Sequence, residues 1–92
     1  METADVVIKI VGAQERVIGP LAIEQAKKVP GLSIDWQSQK VTVSGDSKTV
    51  LGDLVKNYEH LFGQASVEVC KDAIRGIVDE IPKDQLPPVL SA

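Results

Sequence analysis

The chain is poor in the residues that usually announce a chemistry: one cysteine, one histidine and three aromatics, Trp36, Tyr58 and Phe62, among 92 positions. A single thiol, Cys70, excludes a disulfide framework and any multi-cysteine metal site, and fits a reducing compartment. No apolar run approaches the ~18 residues of a membrane span. The opening Met-Glu-Thr-Ala-Asp lacks the basic segment and apolar stretch of a secretory signal, so a cytoplasmic location is expected. A basic excess is missing too. Ten Lys and Arg face thirteen Asp and Glu, a net charge of −3, which argues against a domain whose work is neutralising phosphate. What is present is the balance of an ordinary folded domain, 43% apolar and 25% charged, at a length that suits one domain.

Residues 6–11, Val-Val-Ile-Lys-Ile-Val, are β-branched apart from Lys9 and stop at Gly12, the pattern of a strand. Pro20 suits the first turn of a helix carrying Ala22, Ile23, Ala26 and Val29, which Pro30-Gly31 ends. Leu32, Ile34 and Trp36 then alternate with polar residues, as do Val41 and Val43, and the link Ser38-Gln39 reads as a hairpin. Asp46 or Ser47 can cap a second helix with apolar positions Val50, Leu51, Leu54, Val55, Tyr58, Leu61 and Phe62, closed by Gly63. Gly52 inside it suggests close packing. Val67 and Val69 alternate with Ser66, Glu68 and Cys70, a fourth strand. Ala73, Ile74, Ile77, Val78 and Ile81 recur at helical spacing before Pro82.

That order predicts an α+β protein: a two-layer α/β sandwich, ferredoxin-like β-α-β-β-α-β with an added C-terminal helix and a mostly antiparallel sheet. Residues 1–81 form the domain and 82–92 a proline-containing tail. In an alternative arrangement Arg16, Val17 and Ile18 pair back on the first strand as a fifth.

The stretch VGAQERVIGPLAIEQAKKVPGLSIDWQSQKVTVSGD resembles the heavy-metal-associated domain, the ferredoxin-like module of copper chaperones and metal-pumping ATPases. The resemblance implies the same scaffold: strand, glycine, loop, helix, Pro-Gly, strand. Where that family places its paired cysteines this chain has Glu15 and Ile18, and Ala13 stands for the usual methionine. A carboxylate and an isoleucine cannot replace two thiolates for Cu(I), so no metal is expected to bind. Over its whole length the sequence also resembles small archaeal proteins of the two-layer α/β sandwich type, which implies a fold and no activity. ACT-type regulatory domains share the element order only.

No catalytic constellation emerges. Cys70 has no activating neighbour on its own strand face, and His60 lies among polar residues with no second histidine. Gly-Asp-Ser-Lys-Thr at 45–49 lacks the glycines of a phosphate-binding loop and reads as a helix cap. Asp72, Asp79 and Glu80 are neighbours on an exposed helix, not carboxylates facing a cleft. The polar sheet face would carry no aromatic platform, which disfavours nucleic acid.

Two expectations about function follow. The first is a non-catalytic module that binds a protein, a second copy included, through Ile74, Ile77, Val78 and Ile81. These residues exceed what a minimal sandwich needs. The second is a small-ligand or regulatory domain in which Gln14, Glu15 and Arg16, in a loop over residues 12–19, supply polar contacts. Neither involves a cofactor, a metal or a membrane.

Overall fold

Thr3, Val6, Val7, Ile10, Val11 and Gln14 are all buried, a stripe recurring every three or four residues that only a helix can present to one side. They belong to α1, Thr3–Ile18, which replaces the strand expected over residues 6–11. In this computed structural model, which describes residues 2–91, α1 is followed by α2 (Leu21–Lys27), β1 (Leu32–Asp35), β2 (Lys40–Val43), α3 (Ser47–Phe62) and α4 (Gln64–Ile74). Two 3₁₀ turns, Val78–Glu80 and Lys83–Gln85, lead to a last helical turn, α5, Pro88–Ser91.

The ferredoxin-like sandwich is therefore not the fold. Among the described residues the sheet has two strands, not four. Two of the expected strands are helices, and for the same reason. Ser66, Val67, Cys70 and Ile74 are the buried residues of α4, again at i, i+1, i+4 and i+8. Over one turn such a pattern is indistinguishable from alternation; over three it is helical. Arg16, Val17 and Ile18 close α1 and form no fifth strand. The helix expected over residues 73–81 is divided: α4 takes Ala73 and Ile74, and the chain then passes Gly76 into a 3₁₀ turn.

The hairpin, α2 and α3 match the sequence pattern. β1 and β2 pair antiparallel with Leu32 opposite Val43 and Ile34 opposite Val41. Leu32 is buried and Ile34, Val41 and Val43 half-buried, while Ser33, Asp35, Lys40 and Thr42 are exposed, so one face of the hairpin lies on the helices. Trp36 falls in the turn beyond the strand, where Gln39 takes a left-handed φ of 57° and its amide donates to the Trp36 carbonyl. Asp46 caps α3, accepting from the Thr49 amide at 3.0 Å and the Thr49 hydroxyl at 2.8 Å. Those bonds hold its carboxyl below the usual range.

The core lies between α1, α3 and α4, with α2 and the hairpin along one side. Val6, Val7, Ile10, Val11, Leu51, Leu54, Val55 and Tyr58 are fully enclosed. Ile81, Leu86 and Leu90 of the C-terminal segment close it against α3 and α4. None of the helices is long and apolar enough to cross a membrane among the described residues.

Candidate functional site

The residues expected to act together are divided by the helix that carries them. Gln14 faces inward and is fully buried, Glu15 is half-buried, and Arg16 is exposed. The Gln14 amide donates to the Ser66 carbonyl at 2.9 Å and to the Cys70 sulfur at 3.2 Å, tying α1 to α4. Its Oε1 is buried without a hydrogen-bond partner. Cys70 is enclosed as well, and burial pushes its thiol up to about 11 against an ordinary 9.0. A thiol held protonated at neutral pH is not a nucleophile. Burial, and then the proximity of Cys70, also raise Tyr58 above its ordinary value; its hydroxyl donates to the Ala22 carbonyl at 2.7 Å.

Glu15 and Arg16 instead line a surface groove of about 470 Å³ with Ile8, Lys9, Gly12, Trp36, Gln39 and Ala73. The Trp36 indole N–H donates to Glu15 Oε1 at 3.3 Å, fastening the hairpin turn to α1. Lys9 and Trp36 escape a strand-based reading because it assigns them to opposite sheet faces. On a helix Lys9, Gly12 and Arg16 share one side, which is the signal that spacing could have given.

Ile74, Ile77, Val78 and Ile81 do not form an open surface. Ile74 and Ile81 are buried, and Ile77 and Val78 are half-buried against the core. The exposed large apolar side chains lie elsewhere. Val17 is 64% exposed, Leu61 48%, Leu21 39% and Phe62 37%. Tyr58 meets Ala22 and Asn57 meets the Gln25 carbonyl, so α2 and α3 run antiparallel and the last turn of α3 reaches the junction of α1 and α2. Gln14 lies against Ser66, which brings the start of α4 to the same end. Val17 is two turns beyond Ile10, and Leu61 and Phe62 are two turns beyond Leu54 and Val55. The inward-facing stripes of α1 and α3 thus continue past the point where their partners stop. Leu61 and Phe62, expected in the core, belong to this overhang.

A second depression between α3 and the C-terminal segment is lined by Lys48, Gly52, Lys56, Pro87 and Val89. A Cβ on Gly52 would lie 3.7 Å from Pro87, an ordinary contact, so close packing does not require that glycine. Among the described residues no group of three His, Cys, Asp or Glu side chains could hold a metal ion. Comparison with known protein families, curated proteins and solved structures finds no match.

Proposed function

We propose that this protein is a non-catalytic interaction module that pairs with a second copy of itself through its apolar end. The observation that carries the reading is the overhang: Val17, Leu61 and Phe62 extend two core stripes into solvent, and Leu21 is exposed at the start of α2, just past the end of α1. Exposed apolar side chains gathered at one end of a molecule are a mark of an interaction surface. Charged residues of both signs flank these positions in sequence, Arg16 beside Val17, Glu24 three residues after Leu21 and Glu59 two before Leu61, all exposed. A twofold contact can therefore set the Arg16 of each copy against an acidic residue of the other. The buried, protonated Cys70 supports the non-catalytic part of the reading.

Sedimentation velocity from micromolar to millimolar protein tests it. The wild type is expected to shift toward a dimer with rising concentration. Leu61→Glu combined with Phe62→Glu should keep it monomeric. Both side chains are partly buried and the new carboxylates fall in the last turn of α3, so each substitution is expected to cost about 1 kcal/mol, and the melting transition of the double variant shows that it is folded. A wild type that stays monomeric throughout the range, or a double variant that dimerises equally, would overturn the proposal.

A further inference from the structure

The groove beside Trp36 carries a separate inference. Lys9, Gly12 and Arg16 stand at i, i+3 and i+7 on α1, which sets the two cations about 10 Å apart along the helix, with the glycine between them. Neither Lys9 nor Arg16 forms an ion pair among the described residues. The one carboxylate in the groove, Glu15, accepts from the Trp36 indole. Trp36 reaches over Gly12 from the hairpin turn, is half-buried and lines the cleft.

Gly12 sharpens the case. Glycine in a helix interior costs up to about 1 kcal/mol against alanine. Here a Cβ would meet only the Trp36 ring, at 3.8 Å, an ordinary contact. Packing therefore does not demand the glycine. What it does is leave the floor of the groove open beside the indole.

We propose that this groove binds a small aromatic anion. Its ring lies against Trp36 and its carboxylate or phosphate is held by Lys9 and Arg16. Stacking on an indole and a charge-assisted hydrogen bond to a cation are the two interactions that these side chains offer together. The groove is open to solvent and mainly polar in its lining, which suits a small anion that stays partly hydrated.

Trp36 is the chain's only tryptophan, so its indole N–H gives one unambiguous NMR signal with which to follow titrations. Benzoate and adenosine monophosphate each join a ring to a charge; adenosine lacks the charge and inorganic phosphate lacks the ring. Saturable movement of the indole signal by benzoate, by the nucleotide or by both is the expected result. Movement by only one of them identifies the anion source as carboxylate or phosphate. Adenosine and inorganic phosphate should bind at least about tenfold more weakly. Lys9→Gln with Arg16→Gln should cost a similar factor without lowering the melting temperature. Arg16 stands at the edge of both surfaces, so the titration is repeated in the Leu61→Glu, Phe62→Glu variant, which keeps Arg16 and is expected to bind unchanged while remaining monomeric. The proposal is overturned if neither charged probe moves the signal, if adenosine binds as well as its monophosphate and benzoate does not bind, or if the Lys9, Arg16 double variant binds unchanged.

Discussion

Tyr58 reaches from α3 to the Ala22 carbonyl, while Cys70 receives the Gln14 amide from α1. Both side chains are enclosed, so each is stable only in its neutral form. This couples the fold to alkaline pH. Below about pH 9 the thiol is protonated in folded and unfolded chains alike, and its contribution is fully present. As pH climbs from 9.0 toward about 11 the unfolded chain releases a proton that the folded chain retains, and stability falls. That two-unit difference corresponds to about 2–3 kcal/mol, and Tyr58, raised in the same direction, adds to the loss at higher pH. Urea midpoints are expected to hold steady through neutrality and decline above pH 9, with a shallower decline in Cys70→Ala. An unchanged alkaline profile in that variant would assign the loss to other groups. At neutral pH, thiol reagents should modify Cys70 only as the chain unfolds.

At the scale of elements the hairpin depends on Gly31. Its φ is 82°, a left-handed conformation, and its carbonyl accepts from the Ser44 amide at 2.7 Å. A Cβ there would run into the Ser44 carbonyl oxygen. Gly31→Ala should therefore cost about 1–3 kcal/mol, read as a lowered thermal midpoint. If the midpoint held, the start of β1 would have to be free to shift. This hairpin was legible in the sequence because alternation, turn residues and a Pro-Gly stop all agree over residues 30–43. α3 was legible as well, since its stripe runs unbroken from Val50 to Tyr58 behind an aspartate cap. α1 and α4 were not. In residues 6–11 β-branched residues favour a strand locally, and the helical spacing shows only when Thr3 and Gln14 are counted with them. In α4 a Val-Glu-Val-Cys alternation imitates a strand inside a helical stripe that runs from Ser66 to Ile74. Tertiary burial decided both.

For the whole molecule the core is one body, and its centre is where substitution should matter. Leu54 is fully buried on α3, so Leu54→Ala is expected to cost about 2–5 kcal/mol through lost burial and a cavity. His60, exposed six residues further along the same helix, should tolerate alanine within about 0.5 kcal/mol. Equal denaturation midpoints for the two variants would contradict the assignment of the buried face. The candidate sites were only half legible at this scale. Glu15 and Arg16 could be named from sequence, but their companions Lys9 and Trp36 meet only because the hairpin folds onto α1. The apolar end was hidden for another reason: periodicity says which way a stripe faces, not where its partner ends.

The pairing of α1 with α4 also bears on how the chain is made. Gln14 and Cys70 are 56 residues apart, so α1 leaves the ribosome long before the helix that covers it. Until then Val6, Val7, Ile8, Ile10 and Val11 form a β-prone segment of the kind that pairs between nascent chains. Lys9 is the only charge within that segment, placed where a gatekeeper is needed. Replacing it with an apolar residue should lower the soluble yield during synthesis, even where the finished protein is no less stable.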